Sequence, residues 1–229
     1  MGIPYKLDPL GVTRENFTRL RYIQSHGNNG MVGEYIDTGW YFPENAASFR
    51  IEAKLCFMEA NNHTAVWPVA CGANNSNAGA TLQYYKIQGF PKPIKNIVYG
   101  NSDAAMDNNE IMVPASAVDM YSPFTVDMQY AEGTTTILTN GGNMLQWTRS
   151  IASRARTTCW IFSLNCGRTS SNFAVDMRLY YFKITQDGAI VRDFIPVLDG
   201  NGVPCLFDRA NKAFYYNLAA NAIGFIPGY

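Results

Sequence analysis

The residues that could do covalent or acid–base chemistry in this chain are few and poorly placed for it. Only His26 and His63 offer an imidazole, both in polar, loop-like surroundings, and no Gly-x-Ser-x-Gly elbow presents a serine nucleophile. Glycoside hydrolysis needs two carboxylates, one of them held protonated, and sandwich glucanases set theirs at even spacing on one strand face. Glu34 and Asp37 are three residues apart, which sends them to opposite faces of an extended strand. Glu52 has no acidic neighbour on its strand, Asp127 and Glu132 are separated by an odd interval, and no Glu-x-Asp-x-x-Glu signature occurs. Metal chemistry fares no better: there is no Cys-x-x-Cys pair, Cys159 and Cys166 are seven apart, and no acidic loop has the spacing of a calcium sensor. The expectation is a chain with no catalytic residue, no metal site and no cofactor.

Aromatic residues, 14% of the chain, are the one compositional hint of a ligand. Trp40-Tyr41, Trp67, Tyr84-Tyr85 and Trp147 border loops or turns, where a flat ring can stack on a sugar face while Asn and Gln side chains bond hydroxyls. Trp67, Asn74, Asn75, Tyr84 and Tyr85 are therefore the candidate glycan-binding residues, gathered at a loop rim. The competing reading is that these rings fill a core, since aromatic residues favour strands in any case.

The elements that must position such residues are strands. From Ser48 to Met58, Phe49, Ile51, Ala53, Leu55 and Phe57 alternate with Arg50, Glu52 and Lys54, the period of a half-buried strand. Phe124, Val126, Met128 and Tyr130 repeat that pattern, and further β-rich runs lie at Arg19–Gln24, Gly33–Thr38, Ala65–Ala70, Thr81–Ile87, Asn96–Tyr99, Thr134–Thr139, Met144–Thr148, Thr157–Leu164 and Val175–Thr185. Asp187-Gly188 is a type I′ hairpin signal, and Asn140-Gly141-Gly142-Asn143 serves the same purpose. The stretches 72–79 and 101–109 read as exposed polar loops, and short helices are expected only near 13–20 and 115–121. The fold class expected is all-β: two antiparallel sheets packed as a sandwich of the jelly-roll kind.

Residues 192–217 read as three short strands joined by Asp199-Gly200-Asn201-Gly202 and Asp208-Arg209-Ala210-Asn211, a closing meander beside the Glu34–Thr38 strand. Residues 1–18, with Pro4, Pro9 and Gly11 among apolar Ile3, Tyr5, Leu7, Leu10 and Val12, read as an N-terminal arm that docks on a neighbouring subunit, ahead of one domain at 19–229.

Composition narrows the partners. The 18 basic residues balance 18 acidic ones, so there is no electrostatic footprint for a phosphate backbone and nucleic acid is not expected as a ligand. No apolar run is long enough to span a bilayer, and no membrane association is expected. Five scattered cysteines, several within apolar runs, read as free and mostly buried thiols. With no basic-then-apolar leader pattern at the N-terminus, this suggests folding in a reducing cytoplasm. A charged fraction of only 16% leaves little self-repulsion, which suits a protein assembled with others as an oligomer.

Four segments, "RLRYIQSHGNNGMVGEYIDTGW", "TTCWIFSLNCG", "MRLYYFKITQDGAIVRDFIPVLDGNGVPC" and "LFDRANKAFYYN", resemble a concanavalin A-like lectin/glucanase (LamG-like) domain found in proteins of gut bacteria and their phages. These are fold motifs and imply no catalytic residues. The resemblance implies a non-enzymatic phage virion structural protein, a head decoration, head fibre or tail-associated subunit with a lectin-like fold. Its partners would be other virion proteins and a host or mucosal glycan, and its location the virion, assembled in the bacterial host cytoplasm. The alternatives are a carbohydrate-binding module on a bacterial cell surface and, behind it, a glycoside hydrolase. Residues 59–122 match none of these motifs.

Overall fold

The computed structural model describes residues 5–6, 16–27, 33–41, 48–58, 69–75, 78–87, 90–98, 110–113, 121–132, 134–148, 157–163, 165, 174–220 and 223–229. Every regular element among them is a strand: β1 (Tyr5–Lys6), β2 (Thr18–Arg19), β3 (Tyr22–Gln24), β4 (Ile36–Tyr41), β5 (Ser48–Phe57), β6 (Val69–Asn75), β7 (Ala78–Ile87), β8 (Phe90–Val98), β9 (Glu110–Val113), β10 (Phe124–Ala131), β11 (Thr134–Thr139), β12 (Asn143–Thr148), β13 (Thr158–Ile161), β14 (Met177–Gln186), β15 (Ala189–Leu198), β16 (Pro204–Asp208), β17 (Ala213–Tyr215) and β18 (Ile226–Gly228). They form the antiparallel β-sandwich expected from the alternation. The large sheet runs β1-β17-β16-β15-β14-β5-β10-β11-β12, with β2, β3 and β18 attached off that path, and the small sheet runs β4-β13-β6-β7-β8-β9.

One core lies between the sheets. Phe49, Ile51, Ala53, Leu55 and Phe57 of β5, Phe124, Val126 and Met128 of β10, and Leu179, Phe182 and Ile184 of β14 meet Ile36 and Trp40 of β4 and Cys159 and Ile161 of β13. The alternating residues of the long strands thus fall on opposite faces as their pattern requires. A second, smaller cluster, Ile195, Val197, Cys205 and Phe207 with Phe17, Phe214 and Tyr216, sits apart from this core. β15 and β16 therefore contribute to two clusters, Phe194 and Leu206 to the main one and their neighbours to the other, which is why their sequences read as unbroken apolar runs.

The turns are as specified locally. Asp187 (φ 47°) and Gly188 (φ 80°) both adopt left-handed backbone, the requirement of a type I′ turn between β14 and β15. In the next turn Asp199 Oδ1 accepts the N–H groups of Asn201 and Val203, and in the one after it Asp208 Oδ1 accepts those of Asp193 and Ala210.

Several expectations are corrected. Residues 72–75 and 78–81 pair as β6 and β7, with Asn74 opposite Gly79, because backbone pairing overrides the turn preference of Gly and Asn. At the end of the stretch expected as a helix over 13–20, Thr18 and Arg19 instead pair with Leu198 and Val197, while residues 13–15 lie outside the described residues. The strand expected over 19–24 is split at Leu20-Arg21 into β2 and β3, which serve different neighbours. Within the N-terminal arm, Tyr5 and Lys6 pair with Tyr215 and Phe214 of the same chain, so this part of the segment completes its own sheet edge. The closing meander β15-β16-β17 lies in the sheet opposite β4 and meets it across the sandwich: Arg192 of β15 donates from Nε to Thr38 O, and just past β17 Leu218 N–H bonds Tyr35 O while Asn217 Oδ1 accepts Tyr35 N–H. The loop at 101–109 and the helix expected at 115–121 lie outside the described residues, Tyr121 excepted.

Candidate functional site

β14 carries the sequence Met177-Arg-Leu-Tyr-Tyr-Phe-Lys-Ile-Thr-Gln186, and its two consecutive tyrosines cannot both keep a period of two. The structure resolves the conflict with a β-bulge. Leu179 stands opposite Leu55 and Tyr181 opposite Lys54, leaving Tyr180 as the extra residue. Leu179 and Phe182 are buried on either side, while Tyr180 and Tyr181 are half-buried and both turned away from the core. Bulges re-aim side chains in this way and recur beside binding sites.

The bulge lies in the middle of a polar face built by β3, β14, β5 and β10. Across one row stand Asp127, Glu52 and Lys183, each opposite the next in register. Arg50 grips Asp127 with two bonds, Nε to Oδ1 at 2.8 Å and a second guanidinium nitrogen to Oδ2 at 2.6 Å, and reaches Glu52 at 3.2 Å. Lys183 Nζ is 2.6 Å from Glu52, and Gln129 Nε2 donates to Asp127 at 2.9 Å. Burial, then Glu52 nearby, pushes the Tyr181 phenol above its ordinary value, so its hydroxyl stays a donor at neutral pH.

At the other end of the face the next row is Gln24, Arg178 and Cys56. The Tyr22 and Tyr180 rings are 5.6 Å apart, the Arg178 guanidinium lies 4.7 Å over Tyr22, and Lys54 Nζ lies 5.5 Å over Tyr180. Gly228 stands opposite Tyr22 in register, and a Cβ there would land on the Tyr22 ring, so the ring's position depends on this glycine. Gln24 links Arg178 to Asp176, accepting from the Arg178 Nε–H and donating to Oδ1.

The sequence could not place Glu52 and Asp127 together, because strand pairing between residues 75 apart is what aligns them. The doubled tyrosine inside an alternating strand was the available signal for the bulge. Of the candidate glycan residues, Asn74 and Asn75 pair with Gly79 and Ala78, whereas Tyr84 pairs with Ile94 and Tyr85 falls at a register shift. Gly79 and Tyr84 are five residues apart on one strand, about 17 Å at ~3.4 Å per residue. The backbones of the asparagines and the tyrosines therefore lie towards opposite ends of the β6–β7 pair. Trp67 and His63 lie outside the described residues.

The remaining chemistry-bearing groups are taken up by the fold. Glu34, with its side chain 3% exposed, accepts the His26 N–H at 2.9 Å and lies 2.8 Å from His26 Nδ1. Asp208 is fully buried and accepts from Asn211 Nδ2 as well as from two backbone N–H groups. Tyr35 and Trp160 stack on the small sheet with centroids 3.9 Å apart. Among the described residues no three His, Cys, Asp or Glu side chains cluster as a metal site.

No family model and no curated protein matches the chain. Among solved structures it is similar to the exoplasmic/lumenal domain of VIP36 in its Ca2+/Man2-bound form (TM-score 0.43, 10% identity, 80% of this chain and 85% of that one). It is also similar to domains LG4-5 of the mouse laminin α1 chain (0.40, 11%, 82% and 46%). A third likeness is to the enzymatically active domain of tailspike protein 2 of bacteriophage CBA120 (0.41, 12%, 78% and 30%). The chain spans less than half the length of the laminin and tailspike chains.

Proposed function

We propose that this protein is a non-catalytic recognition module that binds glycan on the open face of its large sheet, and that it works as a structural component of a phage virion. The observation that carries the glycan reading is the bulge at Tyr180. Two adjacent phenol rings on one face, flanked by Gln24, Gln129 and the Arg50–Asp127 pair, combine stacking surface with fixed donors and acceptors, as a sugar ring requires. A non-catalytic role is supported by the state of the paired carboxylates. Asp127 is held by Arg50 and Glu52 by Lys183, so both carboxylates of the row are engaged in ion pairs rather than set apart as an acid and a nucleophile across an open cleft. The virion assignment rests on the resemblance of the four sequence segments and on the low charge.

The test is a glycan array with the full chain and with Tyr180→Ala combined with Tyr181→Ala. Binding by the wild type that is lost in the double variant supports the site; binding unchanged in the variant, or none by the wild type, overturns it. Release of reducing ends from a bound polysaccharide would reinstate a hydrolase. Peptides of this chain in purified particles, identified by mass spectrometry, would support the virion role, and their absence from particles would favour a bacterial surface module.

A further inference from the structure

The open face of the large sheet is electrostatically lopsided. Around Asp127 and Glu52 the charges balance, since Arg50 and Lys183 each meet a carboxylate within 4 Å. Around Tyr22 and Tyr180 they do not. Lys54 and Arg178 lie over the two rings, Arg21 adjoins Tyr22 in the chain and is near enough to act on the Tyr180 phenol, and among the described residues none of the three has a carboxylate within ion-pairing distance. Arg178 spends its Nε–H on the neutral amide of Gln24. The acid behind that amide, Asp176, is 1% exposed and bonded to Gln24. Lys54 and Arg178 are half-buried against rings, which holds the cations in place and reduces the ordering cost on binding.

Resting on the glycan reading above, we infer that the ligand is an acidic saccharide, its carboxylate or sulfate met by Arg21, Lys54 and Arg178 while its ring lies against Tyr22 and Tyr180. A guanidinium and an ammonium suit a planar carboxylate and a sulfate alike, so the shared chemistry is an anionic group on a sugar. Nucleic acid fits less well. Three cations on a chain of zero formal net charge cannot follow a phosphate backbone over several nucleotides.

The experiment is a titration of the full chain, by calorimetry at low salt, with four probes: a galacturonic acid hexamer, a sulfated heparin hexamer, a neutral maltohexaose and a single-stranded dT10 oligonucleotide. The proteins are the wild type, Lys54→Gln, Lys54→Gln with Arg21→Gln, and Lys212→Gln in the turn between β16 and β17 as a charge-matched control. We expect one or both acidic hexamers to bind at least tenfold tighter than maltohexaose, to weaken at least tenfold in the double variant, and to be unaffected by Lys212→Gln. Preference between the two hexamers identifies the anion. Equal binding of acidic and neutral hexamers, or a double variant that binds as the wild type, overturns the inference and leaves the glycan reading standing. Tighter binding of dT10 overturns it in favour of a general polyanion site. No binding of any saccharide here or on the array overturns both. Arg21 is exposed, so Arg21→Gln alone keeps the test decisive if the double variant does not fold.

Discussion

Tyr216 donates its hydroxyl to Asp199 at 2.9 Å, tying the segment after β17 to the turn between β15 and β16. The same carboxylate accepts the Asn201 and Val203 N–H groups, so a single side chain closes the turn and anchors the end of the meander. Burial alone would raise the Asp199 pKa, but these hydrogen bonds outweigh it and hold the carboxyl below its ordinary value. Burial, then the bond to Asp199, pushes the Tyr216 phenol far above its ordinary value, so the donor is never lost near neutral pH.

Tyr216→Phe should therefore cost roughly 1.5–3 kcal/mol, the range for a hydrogen bond to a charged group. Asp199 is depressed in the fold, so its contribution is fully present above its unfolded value of about 3.9 and disappears as pH falls through the lower folded value. Urea unfolding from pH 7 to pH 2 should show wild-type stability falling towards that of Asp199→Asn on the acid side. Parallel curves for the two proteins across this range would contradict the assignment.

Thr139 is fully buried in β11 and its hydroxyl has no hydrogen-bond partner among the described residues. Replacing an unsatisfied buried hydroxyl with a methyl of the same shape removes a desolvation cost and loses no bond. Thr139→Val should leave the protein as stable as before or raise its melting temperature by about 2–4 °C, the shift expected for ~1 kcal/mol at this size. A fall of several degrees would show that the hydroxyl is used.

Glu34→Ala removes the acceptor for the His26 N–H and the partner of its ring while leaving the donor part-buried. We expect a loss of about 1–3 kcal/mol, read as a lower denaturant midpoint with an unchanged slope. A stability within experimental error of wild type would refute this role.

Cys56, Cys159 and Cys205 are buried, and burial pushes the Cys205 thiol up to about 12. At pH 8 these three should resist a thiol reagent in the native protein and react fully once it is unfolded. Mass mapping of the labelled peptides distinguishes them from Cys71 and Cys166. Rapid native labelling of Cys205 would contradict its position in the second cluster.

Local rules settled much of this protein. Alternation in Ser48–Met58 and Phe124–Tyr130 already said which residues face the core, and Asp187-Gly188 specified its own turn, because strand period and left-handed backbone are properties of a few consecutive residues. The aspartates of the 192–217 stretch belong here too, since Asp199 and Asp208 cap turns a few residues away. What the tertiary structure decided was every arrangement that depends on which strands are neighbours. Asp127 faces Glu52, and Arg178 lies between Gln24 and Cys56, only because β10, β5, β14 and β3 pair in a particular register. In the small sheet, pairing of β6 with β7 likewise took the Gly and Asn at 72–75 and 79 into strands and set the backbones of Asn74 and Tyr84 apart along them. The doubled tyrosine of β14 stands between the two cases. Its break in period is visible in the sequence, but both rings leave the core only because Leu179 and Phe182 are buried on either side of the bulge.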